Sequence, residues 1–289
     1  MSDPLNQIFS RLSIPALYEN PDFSSLEEIR LRKGRHIQLR FTNHEKSISQ
    51  YVTEELLQSI LDYSTQRSPH TVMEMLHKGY LILPGGHRIG ICGSGVYRQG
   101  RLANLREISS MNIRIARNIS GIGGDIADGL CKNPASALCM GPPGRGKTTL
   151  LRDIVRQLST KYRERIGVID ERQELAASID GCPQFDIGPT CDVMSCTKKS
   201  EAIEMLIRSM SPTWIALDEI TAEEDIDAII RGSYCGVLFL ATVHGNEIHD
   251  LAARPIYRKL LDSRVFRDLY VITPNRSVRK EDLWHTFVL

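Results

Sequence analysis

The residues Gly141-Pro-Pro-Gly-Arg-Gly-Lys-Thr148 fit the pattern G-x-x-x-x-G-K-[ST] at every fixed position. They follow an apolar stretch, Ala137-Leu-Cys-Met140, and precede an amphipathic helical pattern that runs from Thr148 to about Tyr162. The pattern requires this order of strand, loop and helix. Glycines let the backbone curl closely around phosphate oxygens, and the start of the helix presents its positive dipole end to the anion. The stretch therefore predicts a nucleotide-binding P-loop.

The chemistry of the loop assigns a role to its last residues. Lys147 is expected to bridge the β- and γ-phosphates, and the Thr148 hydroxyl is expected to ligate Mg²⁺. ATP and Mg²⁺ are therefore the predicted cofactors. The predicted nucleotide-binding residues are Gly141, Pro142, Pro143, Gly144, Arg145, Gly146, Lys147, Thr148 and Thr149.

An acidic pair follows a later apolar strand, Trp214-Ile-Ala-Leu217. Asp218 fits the carboxylate that holds Mg²⁺ through water, and Glu219 can polarise the attacking water. Thr148 and Asp218 are thus the predicted metal-binding residues. An acid beside the metal ligand favours hydrolysis. A further strand, 165–170, lies between the P-loop and the acidic pair. The sequence also contains no Asn-Lys-x-Asp motif, which would recognise guanine. ATP is therefore preferred to GTP.

Two more groups of polar residues follow apolar strands. Asp170, Glu171 and Glu174 come at the end of strand 165–170, and His244 follows strand 237–243. The carboxyl ends of strands in an open parallel sheet meet at one edge, where ligands bind. At such an edge, His244 is predicted to sense the γ-phosphate.

The pattern of strands and helices that the sequence predicts changes near residue 118. From there on strands and helices alternate, which predicts an α/β domain with a mostly parallel sheet and helices on both faces. The earlier part predicts a smaller α+β domain, with the glycine-rich stretch Gly121-Ile-Gly-Gly124 as the hinge between the two. The predicted domains are residues 1–118 and 119–289. The elements predicted in the first are strands at 28–34 and 37–41, helices at 53–66 and 70–78, and two strands around Pro84-Gly-Gly86.

Composition excludes several classes of protein. Hydrophobic residues make up 42% of the chain, as in ordinary globular proteins. The net charge is +1, so the overall charge does not attract the protein to nucleic acid or to anionic lipid. The longest apolar run, Cys235–Val243, is far shorter than the ~20 residues of a membrane span. The seven cysteines include no C-x-x-C pair, and the first residues have no signal-peptide pattern. We therefore expect a cytoplasmic protein.

The order of the motifs resembles the hexameric ATPases of type II and type IV secretion. It comprises the P-loop, an acidic box (169–175), a Walker B-like segment (212–220) and a histidine box (236–246). Over nearly its full length the chain resembles more closely the stage III sporulation protein AA family, ATPases associated with the channel between mother cell and forespore. The residues that carry this closer resemblance are Glu28–Arg32, Gly85–Gly93, Asn112–Arg117 and Arg254–Tyr257.

The resemblance implies a fold, an activity and partners. It implies a RecA-like P-loop ATPase domain and a homo-oligomeric, hexameric motor that energises or assembles a trans-envelope channel. Its partners would be integral-membrane components of the sporulation apparatus, met at the mother-cell side of the membrane. One departure is that Asp218 stands where secretion ATPases usually have glycine.

The resemblance also assigns roles to single residues. It makes Glu219 the Walker B glutamate and His244 the residue of the histidine box. Either Glu171 or Glu174 would orient water or metal. Arg88 and Arg114 match positions at which secretion ATPases carry arginines that reach a neighbour's nucleotide.

An alternative function is a P-loop ATPase that acts on single-stranded nucleic acid. Residues 1–120 contain 15 Lys and Arg against 11 Asp and Glu, a net charge of +4. The arginines in question are Arg98, Arg101, Arg106, Arg114 and Arg117, and Gly121–Gly124 fits the GxxG of a KH loop. Few aromatic side chains lie among these arginines to stack on bases, which weakens this reading. A scaffold that binds nucleotide without hydrolysis is a third class, and Glu219 argues against it.

Overall fold

The computed structural model describes residues 25–65 and 79–286. The chain divides into two compact units between Arg117 and Asn118. Each unit contains its own sheet and its own apolar core. The helix predicted at 70–78 lies outside the described residues.

The first unit contains one six-stranded sheet in the order β3-β2-β1-β6-β5-β4, with every pair of neighbours antiparallel. A single turn of 3₁₀ helix, Pro84–Gly86, joins the two strands that were predicted on either side of the Pro-Gly-Gly motif. Its elements are β1 (Leu26–Arg32), β2 (His36–Phe41), β3 (Glu45–Tyr51), α1 (Glu54–Thr65), β4 (Tyr80–Ile82), β5 (Arg88–Arg98) and β6 (Arg101–Arg114).

The two faces of this sheet differ in character. Alternation along β1 buries Ile29 and Leu31, which pack with Leu57 of α1 in one apolar core. The opposite face carries Glu28 and Arg30 of the same strand. The sequence predicted β1, β2, β4, β5 and α1 but neither β6 nor β3. The residues of β3, Glu45-Lys-Ser-Ile-Ser-Gln-Tyr51, are almost entirely polar. An edge strand with one half-buried apolar side chain has no alternation strong enough to detect.

The second unit is built from strands and helices in alternation. Its seven-stranded sheet has the order β13-β12-β7-β11-β10-β8-β9, and only the β12–β13 pair is antiparallel. Its elements are α2 (Gly124–Lys132), β7 (Ser136–Gly141), α3 (Lys147–Tyr162), β8 (Ile166–Asp170), β9 (Cys191–Ser195), α4 (Lys199–Met210), β10 (Trp214–Leu217), α5 (Glu223–Tyr234), β11 (Leu238–His244), α6 (Ile248–Ala253), α7 (Pro255–Asp262), β12 (Phe266–Ile272), β13 (Val278–Asp282) and α8 (Leu283–Thr286).

The predicted α/β class is confirmed. Strands β7, β8 and β10 are fully buried along their length, as expected for a parallel sheet covered on both faces by helices. Two separate apolar cores lie in this unit: α3 packs into one of them, while α4 and α5 pack into the other. Strand β11 lies between β7 and β10, so one strand separates the P-loop from the acidic pair.

Proline and buried charge explain two local features. The helical stretch after β11 is divided at Arg254, because Pro255 begins α7 and cannot continue α6. Strand β12 escaped prediction because Arg267 and Asp268 interrupt its apolar run. Asp268 is 2% exposed, and Arg267 and Lys280 neutralise it at 3.1 and 2.6 Å.

No helix within the described residues, 25–65 and 79–286, has both the length and the apolar character that a membrane crossing requires.

Candidate functional site

The P-loop lies between β7 and α3 at the carboxyl edge of the second sheet. Gly144 and Gly146 have φ values of +74° and +92°, a left-handed region that glycine enters without steric cost. Gly146 is also the residue that precedes the first turn of α3. These two glycines let the loop turn back on itself, so that the amides at the start of α3 become available to an anion.

Lys147 is held inside the loop it belongs to. Its side-chain Nζ donates to the Pro142 carbonyl at 3.1 Å and lies 3.0 Å from His244 Nδ1. The residue is 7% exposed, and burial lowers the pKa of its ammonium group, against the opposing effect of nearby carboxylates such as Asp218. A buried ammonium group with three donors and two neutral acceptors is suited to receive an anionic partner.

Asp218, which follows β10, contacts α3 and β11 through one carboxylate. One oxygen accepts a hydrogen bond from Thr148 Oγ1 at 3.0 Å, and the other accepts one from Thr242 Oγ1 at 2.6 Å. The hydroxyl and the carboxylate are hard oxygen donors of the kind that Mg²⁺ prefers. Among the described residues no cluster of three or more His, Cys, Asp or Glu could hold a metal by itself. Thr148 and Asp218 therefore fit a magnesium ion that also takes phosphate oxygens and water as ligands.

Glu219 has an unusual backbone and a fully engaged side chain. Its φ of +37° lies in the left-handed region, which costs a non-glycine residue about 1–3 kcal/mol. Its amide donates to Thr242 Oγ1 at 2.8 Å, which fixes the backbone in this state. Its two carboxylate oxygens contact His244 Nε2 at 2.8 Å and Arg172 Nη1 at 3.0 Å.

These contacts define the tautomer of His244. Lys147 can only donate, so His244 Nδ1 accepts from it and the ring proton is on Nε2, from which it is donated to Glu219. The three side chains thus form a continuous line of hydrogen bonds from the P-loop to the end of β10. The structure brings together Lys147, Thr148, Asp218, Glu219 and His244, all of which the sequence singled out.

The acidic residue at the end of β8 is part of the scaffold. Asp170 is 1% exposed, and its two oxygens accept hydrogen bonds from four backbone amides, those of Glu174, Leu175, Ala176 and Ala177. All four distances lie between 2.7 and 2.9 Å. A single carboxylate therefore shapes the loop in which Glu174 stands.

Glu171 and Glu174 have neighbours that the sequence did not reveal. Glu171 forms an ion pair with Lys199, which is 4% exposed at the start of α4. The pKa of nearby Asp225 is raised by its burial, against the opposing effect of Lys199. The backbone carbonyl of Glu174 accepts from Arg152 of α3 at 2.5 Å. The acidic box is thus tied to α4 through Lys199 and to the P-loop helix through Arg152.

The two arginines suggested by resemblance lie in the first unit. Arg88 and Arg114 are direct neighbours across β5 and β6. Arg88 stacks on the Tyr80 ring with its guanidinium carbon 3.5 Å from the ring centroid, and Arg114 lies 3.8 Å from Glu28. Two adjacent arginines on one face of a sheet make a strongly positive local surface, which Glu28 offsets in part.

The glycine-rich stretch after Arg117 has a structural partner. The Gly123 amide donates to Asp153 of α3 at 2.7 Å, and Gly124 begins α2. A Cβ on Gly123 would lie 2.8 Å from the backbone nitrogen of Ile154, so only glycine fits. This close packing against the P-loop helix explains why glycine stands at position 123. A nucleic-acid-binding loop is not needed to explain it.

Three residues of the site were missed in the sequence. Arg152, Arg172 and Lys199 are cations that each bind the acidic box or Glu219. No short sequence motif identifies these three residues, because their partners are distant in the chain. Lys199 could have been recognised from helix electrostatics: a lysine at the first position of α4 opposes the helix dipole, which indicates a nearby carboxylate.

The role of Asp170 can be tested by Asp170→Asn. The amide side chain keeps one acceptor oxygen, so two of the four buried N–H groups lose their partner, at about 1–3 kcal/mol each. We expect the amides of residues 174–177 to lose protection in hydrogen exchange and the second unit to lose about 2–5 kcal/mol of stability. Asp186→Asn is the matched control, since exposed Asp186 accepts from only the Gly188 amide. Equal protection in both variants would contradict the scaffold role.

Solved structures resemble this chain in fold. The pilus retraction motor PilT with bound ADP superposes with a TM-score of 0.63 and 16% identity, covering 92% of this chain and 81% of that one. The ATPase DotB of Legionella pneumophila gives a TM-score of 0.58 and 14% identity, with 96% and 78% covered. The predicted RecA-like ATPase fold is confirmed by these likenesses.

Sequence comparison shows the family. Residues 4–280 match the family described as sporulation stage III, protein AA. The stage III sporulation protein AA of Bacillus subtilis (strain 168) is 38% identical over 258 residues, which are 87% of this chain and 84% of that protein. The chain therefore belongs to the stage III sporulation protein AA family.

Proposed function

We propose that this protein is a Mg²⁺-dependent ATPase whose catalytic domain is formed by residues 119–289. The observation that carries the proposal is the convergence of Lys147, the Thr148–Asp218 pair and Glu219 at one sheet edge. PilT, whose fold is similar, holds ADP. A phosphate-binding cation, two oxygen ligands for a metal and a candidate general base are the parts that ATP hydrolysis needs.

Each side chain has a distinct task in this proposal. Lys147 exchanges its His244 and Pro142 contacts for the β- and γ-phosphate oxygens. Thr148 and Asp218 would hold Mg²⁺, which supplies neutralisation of the phosphate charge when bound. Thr242 holds the Asp218 carboxylate and the Glu219 backbone in place through two hydrogen bonds. His244 senses the γ-phosphate through its contact with Lys147.

Glu219 is the best-placed general base. It stands two residues after the end of β10 and is already linked to the P-loop through His244. Glu171 is engaged by the buried ammonium group of Lys199, which fits a role in orienting the acidic box rather than in taking a proton. Glu174 stands in the loop shaped by Asp170 and can orient water or metal.

We further propose that the protein works as a homo-oligomeric, hexameric ring in the cytoplasm, at the mother-cell side of the membrane. Its fold resembles that of the pilus retraction motor PilT, and its family is named for a stage of sporulation. The output would be domain motion that energises or assembles a channel with integral-membrane components. Arg88 and Arg114 would supply positive charge to a neighbour's nucleotide.

The contacts of the first unit favour this function over action on nucleic acid. The Arg117 guanidinium donates to the Leu26 carbonyl at 3.0 Å. An arginine that is engaged by the backbone is less available to a phosphate backbone than a solvated one.

Nucleotide binding should depend on Lys147. Lys147→Ala removes the mobile cation that neutralises the β- and γ-phosphates, so we expect loss of measurable binding of a fluorescent ATP analogue. Lys161→Ala is the control, because Lys161 is an exposed lysine of the same helix that pairs with Asp128. Binding by the Lys147 variant at the parent's affinity would reject the nucleotide site.

Hydrolysis should depend on Glu219. Glu219→Gln keeps the size of the side chain and one acceptor oxygen but cannot take a proton. We expect ATP to bind while turnover falls by roughly 10²–10⁴-fold, measured as phosphate release. Turnover at the parent's rate would transfer the base to Glu171 or Glu174.

A shared site should reveal itself in mixtures of inactive subunits. Arg88→Ala and Arg114→Ala should each bind ATP but lose hydrolysis, since an arginine delivered by a neighbour is worth ~10³–10⁵ in turnover. Mixing either with Glu219→Gln should restore part of the activity, because some interfaces then pair an intact site with an intact arginine.

The control mixture is Glu219→Gln with Lys147→Ala. Both partners then carry a damaged site, so this mixture should stay inactive at every ratio. The specific activity of the parent should also rise with protein concentration as subunits meet. A flat concentration dependence together with an inactive first mixture would show that the sites are not shared.

A further inference from the structure

Arg172 occupies one oxygen of the residue proposed as the general base. Its Nη1 lies 3.0 Å from Glu219 Oε2, while His244 holds Oε1 at 2.8 Å. Both carboxylate oxygens of Glu219 are therefore engaged by side chains of the same subunit. A general base must offer one oxygen to the proton of the attacking water.

The two partners of Glu219 differ in how they respond to nucleotide. His244 is connected to Lys147, the residue that the phosphates would recruit. When Lys147 turns to the phosphates, His244 Nδ1 loses its donor, and the ring is no longer fixed against Glu219. Arg172 is connected to the opposite oxygen, so Glu219 can be released from one side while it is still held from the other.

Arg172 stands beside two anchored residues. The residue before it, Glu171, is anchored by Lys199, and Asp170 is fixed by four amides. The Arg172 side chain itself is 54% exposed. Exposed ion pairs are weak and are screened by salt, so this contact can open and close without cost to the fold.

We infer that Arg172 is a positioning residue that latches one oxygen of Glu219 and slows hydrolysis, also when nucleotide is bound. The inference rests on the proposed ATPase function and adds a regulatory contact inside the same subunit. In this scheme nucleotide frees the oxygen that His244 holds, whereas Arg172 keeps the other oxygen and limits hydrolysis by the isolated protein.

The test is the turnover of Arg172→Ala under saturating and limiting Mg-ATP. Removing the latch should raise kcat by about two- to fivefold, the range expected for an exposed ion pair, and leave KM unchanged. Arg172→Lys keeps the charge and should return kcat toward the parent's value. Arg231→Ala is the matched control, since Arg231 is 58% exposed and pairs with Glu204 at 2.9 Å in the same unit.

Salt separates a latch from a general structural effect. Raising the ionic strength from about 0.05 to about 0.5 M should bring the parent's kcat closer to that of Arg172→Ala, because the screened ion pair no longer holds Glu219. The ratio of Arg231→Ala to the parent should stay near one throughout.

The outcomes distinguish the latch from the function it rests on. A parent that neither binds nor hydrolyses ATP overturns both. An active parent with an Arg172→Ala variant that behaves like Arg231→Ala overturns the latch alone. A fall in kcat for Arg172→Ala also overturns the latch, and makes Arg172 a contributor to the transition state.

Discussion

The site depends on one carboxylate, that of Asp218. It accepts hydrogen bonds from Thr148 at the start of the P-loop helix and from Thr242 near the end of the neighbouring strand. Three segments that are far apart in the sequence are thereby held at one edge of the sheet. The parallel order of the strands makes this possible, because β11 lies between β7 and β10 and the carboxyl ends of all three strands face the same edge of the sheet. The Asp218 carboxylate accepts from both sides and so joins the P-loop to the acidic pair directly, in addition to the line of contacts through His244.

The parts of the fold that the sequence predicts are those in which one physical effect dominates. Strands buried on both faces are short apolar runs, so β7, β8 and β10 were predicted to within a residue or two. Helix α3 was equally clear from its apolar spacing and its glycine-rich start. Edge strands such as β3 and β9 carry mixed residues and are held by neighbours rather than by their own pattern. Their pairing is a property of the whole sheet.

The same division holds at the site. Motifs predicted the residues that must meet a phosphate or a metal, because such chemistry demands particular residues at fixed spacing. Motifs could not predict that Glu171 pairs with Lys199, or that Arg172 reaches Glu219, since those pairs depend on how two loops approach in space. Nor could a strand-end acid be identified in advance as a scaffold. Asp170 resembles a catalytic carboxylate in the sequence, and its four amide partners show that it organises the loop instead.

The left-handed backbone at Glu219 has a consequence for how this position can vary. Glycine would adopt the same conformation without strain, so a search for greater stability would replace the glutamate with glycine. The chain instead carries a residue that its backbone disfavours and holds it with two hydrogen bonds from the Glu219 amide. Stability and chemistry therefore select for different residues here. Engineering this protein for thermal robustness would encounter that conflict first at this one position.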